Sequence, residues 1–144
     1  MSIEQIKATK GRLLGVDFGE ARTGLALSDA ARLLASGIGN IPGGGLERSA
    51  DGILAAVAAH GAVGVVMGLP VNMNGTEGPR AARARELAAL LEVQLPVYLM
   101  DERMSTMAAA RFLNETNTRG KKRKGVIDTL SAQIILQNAL DRLR

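Results

Sequence analysis

Cysteine is absent from this 144-residue chain, and so is tryptophan. Without cysteine there is no disulfide framework and no thiolate metal centre. A single histidine, His60, leaves too few imidazoles for a His-rich zinc site and removes most Ser-His-Asp schemes. Three aromatic residues, Phe18, Tyr98 and Phe112, are too few for recognition built mainly on stacked bases. No apolar run approaches the roughly 20 residues of a membrane span. The first residues, Met1–Lys7, lack the apolar stretch of a secretory signal. These absences together lead to the expectation of a cytoplasmic protein with no membrane partner.

What is present is a core-forming composition and an uneven charge. Apolar residues make up 47% of the chain, enough for a packed interior rather than disorder. The length suits one domain spanning residues 1–144. Residues 1–99 carry nine basic and nine acidic side chains, whereas residues 100–144 carry nine and five, so the whole net charge of +4 lies in the last third. Much of that excess is the run Arg119-Gly120-Lys121-Lys122-Arg123-Lys124. A run of this kind is either a solvated loop or a contact to nucleic-acid phosphates. Its place just before Asp128 favours phosphate.

Hydrophobic patterning gives the order of elements. Arg12–Phe18 reads as a buried strand, Arg22–Ser28 as a second, and a third falls within Leu33–Ile41. Pro42-Gly43-Gly44-Gly45 breaks the chain before a helix over Leu46–His60, with Gly61 just past its end. Val63–Met67 is fully apolar, as a central parallel strand would be. After a glycine-bearing polar loop, Pro79 opens a second helix, and Pro96–Met100 is another buried strand. Ser105 or Thr106 could cap a helix reaching Asn114. A basic loop over 115–124 would then lead to a last helix, about Gly125–Leu143. This β-β-β-α-β-α-β-α-α order predicts an α/β protein with a mixed five-stranded sheet flanked by helices, and with acids on the first strand, at a later strand end and on the last helix it is the layout of an RNase H-like domain.

Against this apolar background three acidic positions stand out. Asp17 interrupts the strand Leu13-Leu14-Gly15-Val16-Asp17-Phe18. Asp101 and Glu102 directly follow Pro96–Met100. Asp128 opens the apolar segment of the last helix. An ionised carboxylate in such a setting needs a cation or hydrogen bonds. Three that converge in space would suit a hard divalent cation, Mg²⁺ or Mn²⁺, with substrate phosphate completing the shell. Each also has an ordinary explanation: Asp17 as a turn cap, Asp101-Glu102 as acids preceding a helix, Asp128 as an acid at a helix N-terminus. If the strand continues through them, Asp101 and Glu102 cannot both face one site, because successive strand residues point to opposite faces. Asp101 could instead pair with Arg103. The loop Asn72-Met73-Asn74-Gly75-Thr76 is either a plain turn or a polar rim in which Asn72 and Thr76 meet sugar or phosphate.

The ordered set Gly15-Val16-Asp17-Phe18-Gly19, Arg22-Thr23-Gly24-Leu25-Ala26-Leu27-Ser28-Asp29, Gly68-Leu69-Pro70 through Gly78, Asp101-Glu102-Arg103-Met104-Ser105-Thr106, and Lys121–Lys124 with Ile127-Asp128 and Ser131–Leu136 resembles the YqgF (RuvX) family. Ser131 departs from the alanine usual in that family, and the run Gly43-Gly44-Gly45 is also atypical. The resemblance implies an RNase H-like nuclease in which Asp17, Glu102 and Asp128 are the catalytic carboxylates, holding two Mg²⁺ or Mn²⁺ ions about 4 Å apart. Arg103 and Lys121, Lys122, Arg123 and Lys124 would position phosphate, with Asn72 and Thr76 as further nucleic-acid contacts. The implied activity is hydrolysis of phosphodiester bonds at the 5′ end of pre-16S rRNA, by a monomer or weak homodimer. Resolution of four-way DNA junctions is the alternative substrate class, and a non-catalytic nucleic-acid-binding module the alternative without chemistry.

Overall fold

The fold is taken from a computed structural model, which describes residues 3–104 and 121–144, the side chains of 121–128 excepted. Among these residues the chain forms α1 (Ile3–Lys7), β1 (Leu13–Asp17), β2 (Arg22–Ser28), β3 (Ala35–Pro42), α2 (Leu46–His60), β4 (Gly64–Leu69), α3 (Pro79–Glu92), β5 (Val97–Asp101), a 3₁₀ turn (Glu102–Met104) and α4 (Lys121–Arg142). The strands make one mixed sheet in the order β3-β2-β1-β4-β5. β1, β2 and β3 are joined antiparallel, while β4 and β5 run parallel to β1. Every residue of β4 is buried, as its unbroken apolar sequence requires of a strand covered on both faces.

Strand alternation sorts the core into two layers. Leu14, Val16, Leu25, Val65 and Met67 point towards α2 and α3, while Leu13, Ala26, Val66 and Met100 point towards α4. α4 lies close on the sheet because glycine replaces a side chain beneath it. A Cβ on Gly15 would come within 2.7 Å of the Leu136 Cβ and 3.0 Å of the Ala132 carbonyl oxygen. The helix also has a direction fixed by its contacts. Gln137 accepts from the Ala35 amide, level with the start of β1, whereas Thr129 lies on Gly37, one step nearer the Asp17 end. The N-terminus of α4 therefore faces the end of β1 that carries Asp17.

Three expectations need correction or qualification. α4 begins at Lys121 rather than near Gly125, so Lys121–Lys124 form the first turn of a helix and not a loop. Lysine and arginine are good helix formers, and Gly125 costs a helix interior only about 1 kcal/mol. α1 was not foreseen, because five residues are too few to show helical periodicity. It is held from outside: the Arg32 guanidinium donates to the carbonyls of Ile6 and Gly11 and to the Thr9 hydroxyl, at 3.0, 2.7 and 2.7 Å. The helix expected from Ser105 or Thr106 to Asn114, and the loop over 115–120, lie outside the described residues.

Candidate active site

Parallel strands bring the acids to one level. Val16 pairs with Met67 and Gly68 with Met100, so Asp17, Gly68 and Met100 lie side by side at the C-terminal ends of β1, β4 and β5. Asp17 continues the Leu13–Gly15 face of β1, the face that α4 covers. Glu102 follows β5 as the first residue of the 3₁₀ turn. Its side chain fills the space over Gly68, where a Cβ would stand 2.9 Å from Glu102 Oε1 and 2.7 Å from Ile135 Cδ1. Glu102 is only 8% exposed. Asp17 and Glu102 line one small cavity with Phe18, Gly19, Glu20, Gly68, Pro70 and, from α3, Arg80, Arg83 and Ala84.

Asp101 points elsewhere, as alternation demands. Its carboxylate accepts from the Arg103 amide at 2.9 Å and from the Arg103 Nη2 at 2.8 Å. The hydrogen bond from the Arg103 side chain, helped by that from the amide, holds the Asp101 carboxyl below its usual value of 3.8. Of the two adjacent acids, geometry thus places Glu102 in the cavity with Asp17 and ties Asp101 to Arg103.

Asn72 and Thr76 close a loop on themselves. The Asn72 amide side chain donates to the Thr76 hydroxyl at 3.0 Å, that hydroxyl donates to Asn74 Oδ1 at 2.6 Å, and the Asn72 N–H donates to the Thr76 carbonyl. Both residues are exposed, and Asn72 lines a groove with Met73, Arg80, Glu102 and Arg103 that adjoins the Asp17–Glu102 cavity. Lys121, Lys122, Arg123, Lys124 and Asp128 are placed by backbone alone. Asp128 lies one turn before Ala132, at the end of α4 that faces Asp17. The run Lys121–Lys124 extends about 10 Å further along the axis. Among residues whose side chains are described, no three carboxylates or imidazoles group as a metal site.

Sequence reading missed Arg80 and Arg83. The available signal was their i, i+3 spacing just after Pro79, beside a glycine-bearing loop. In a segment that also contains Arg85 it reads as an ordinary charged helix face. No described helix is long and apolar enough to cross a membrane.

Comparison with known proteins gives the lineage. Residues 11–142 match a family model described as RuvX, Holliday junction resolvase. A relative from Bradyrhizobium sp. (strain ORS 278), named "Putative pre-16S rRNA nuclease", is 46% identical over 93% of this chain and 84% of its own length. One from Cereibacter sphaeroides (strain ATCC 17025 / ATH 2.4.3), of the same name, is 42% identical over 99% of this chain and 92% of its own. Among solved structures, Thermus thermophilus RuvC in complex with Holliday junction substrate superposes with a TM-score of 0.56 at 15% identity, over 92% of this chain and 94% of that one. This last likeness establishes the RNase H-like fold and no more. With one sheet, one order of elements and sequence identity running along nearly its whole length, the chain belongs to the RuvX family of nucleases.

Proposed function

We propose that the protein is a metal-dependent nuclease that trims the 5′ end of pre-16S rRNA in the cytoplasm, acting as one domain over residues 1–144. The observation that carries this reading is the meeting of Asp17 and Glu102 in one cavity at the C-terminal ends of parallel strands, where open α/β sheets bind ligands. The names of the relatives supply the substrate class.

The donor set fits a hard cation. Asp17 and Glu102 offer carboxylate oxygens only, and with neither cysteine nor a nearby histidine a soft metal has no ligand here. Asp128, on the α4 turn that faces them, is the third carboxylate of the proposed site. Bound Mg²⁺ or Mn²⁺ would supply an activated water and stabilise the leaving 3′-oxygen. The chain supplies the rest. Glu102 is buried beside Gly68, where the missing side chain leaves room for its carboxylate. Pro70 and Phe18 wall the cavity and limit water. Lys121–Lys124 place four cations on the first turn of α4, the positive end of its dipole, with no acid among them to offset the repulsion. A phosphate backbone would relieve it. Arg103, oriented by Asp101, and Asn72 edge the adjoining groove, and with Thr76, bonded to Asn72, they complete the nucleic-acid surface.

Cutting of four-way DNA junctions is the second reading, favoured by the description of the matching family and requiring two copies to cut symmetrically. The deciding experiment incubates the protein and its Asp17→Asn variant with Mn²⁺ and two labelled substrates, a pre-16S rRNA 5′ fragment and a synthetic four-way DNA junction. RNA cleavage lost in the variant is the expected result. Symmetric junction cleavage without RNA cleavage transfers the protein to the second reading, and binding without cleavage of either rejects the catalytic one.

A further inference from the structure

The arginines near the cavity fall into two kinds. Arg85 is paired with Glu77 through two hydrogen bonds at 2.6 and 2.8 Å, and Arg103 is paired with Asp101. Arg80 and Arg83 have neither a hydrogen bond nor an ion pair to any described residue. Yet both line the cavity that holds Asp17 and Glu102. Arg80 also lines the groove of Asn72, Met73 and Arg103, and Arg83 the open groove between α2 and α3, where Arg48 and the acids Glu47, Asp51 and Glu86 also stand. The two arginines thus stand where the cavity opens into a groove on either side.

Their placement follows from the helix they sit on. Pro79 starts α3, and Ala81 and Ala84 turn inward and are buried, which leaves Arg80 and Arg83 on the flank facing the strand ends. Residues at i and i+3 stand about 5–6 Å apart at Cβ, close enough to serve neighbouring phosphates of one strand. A guanidinium fork matches phosphate oxygens with two parallel hydrogen bonds. We infer that Arg80 and Arg83 grip the sugar–phosphate backbone of the substrate on either side of the bond to be cut, steering the strand across the cavity along α3. This rests on the nucleic-acid reading given above and adds to it a second binding wall, on the side of the sheet away from α4.

The test measures binding of the labelled pre-16S rRNA 5′ fragment by fluorescence anisotropy over a range of salt, in EDTA so that no cleavage occurs. The full chain is compared with Arg80→Gln/Arg83→Gln, with Arg80→Lys/Arg83→Lys, and with Arg12→Gln at the opposite end of β1. The expected result for the Gln pair is a Kd raised on the order of tenfold and a salt slope reduced by about 0.7 for each lost contact to a single strand. The Lys pair should keep the slope and recover only part of the affinity, since it keeps charge but not the fork. Arg12→Gln should change neither. An unchanged Kd and slope in the Gln pair, or an equal loss in Arg12→Gln, overturns the inference. Because binding is read without metal, a wild type that binds but never cleaves rejects the nuclease reading while the Gln pair still decides the arginines. A wild type that binds neither this RNA nor the DNA junction overturns both.

Discussion

Asp17 and Glu102 come from distant parts of the chain and share one cavity wall, so their effects can be separated from folding. Asp17→Asn and Glu102→Gln keep side-chain volume and remove only charge. Loss of groups that merely support a metal ligand costs about 10–100-fold, so losing a ligand itself should reduce cleavage by more than about 100-fold with an unchanged circular dichroism spectrum. Retained cleavage in either variant would remove that residue from the site. Asp101 makes a contrasting case. Its carboxyl titrates below 3.8 because Arg103 bonds to its ionised form. A folded-state value below the unfolded one means that the pair stabilises the fold fully above the ordinary aspartate value, and that this contribution fades as pH falls through the lowered value. Asp101→Asn should therefore lower Tm slightly at neutral pH, and the difference from wild type should vanish in strong acid. A constant difference across the acid range would show that Asp101 acts by packing instead.

At the scale of elements, the close approach of α4 to the sheet depends on Gly15 and Gly68. Gly15→Ala would drive a methyl group into Leu136 and the Ala132 carbonyl, two groups with little freedom to retreat. Overpacking of this kind costs about 1–3 kcal/mol, measurable by urea denaturation. Gly68→Ala meets Glu102 Oε1 as well as Ile135, so it should displace the carboxylate and cut activity more than its stability loss explains. Equal losses in both variants would deny Gly68 any special link to the site. The strands β1, β2, β4 and β5 and the helices α2 and α3 were legible in sequence because their apolar spacing is regular, and Pro79 and Gly61 mark helix limits by backbone chemistry alone. α1 was not legible, since a single turn has no period and depends on Arg32 from the β2–β3 connection. The start of α4 was misplaced because charge suggested a loop where helix propensity prevailed.

For the whole molecule, metal and fold should be linked. A ligand that binds only the folded state raises its stability, so Mn²⁺ should raise Tm in the wild type in a concentration-dependent way. The rise should disappear in Asp17→Asn, and EDTA should abolish cleavage until Mg²⁺ or Mn²⁺ is restored. A Tm indifferent to Mn²⁺ in the wild type would count against an all-carboxylate site. The uneven charge also belongs to this scale. The excess of cations in residues 100–144 falls partly on the first turn of α4, whose axis is aimed at the Asp17 end of the sheet. Basic residues and candidate catalytic acids thus meet at one end of the molecule.

By itself the sequence determined the periodicities, the breakers and the isolated acids, because each is a local matter of backbone preference or desolvation cost. It therefore carried the order of the five strands with α2, α3 and α4, the mixed α/β class and the candidates Asp17, Asp101 or Glu102, and Asp128. Only the tertiary structure decided between Asp101 and Glu102 for the cavity, because that depends on which face of β5 meets Gly68 and Ile135. It also singled out Arg80 and Arg83. Their sequence looks like any charged helix face until the parallel pairing of β1, β4 and β5 sets the strand ends beside them. Side-chain identity is written residue by residue, whereas convergence is a property of strand order and register.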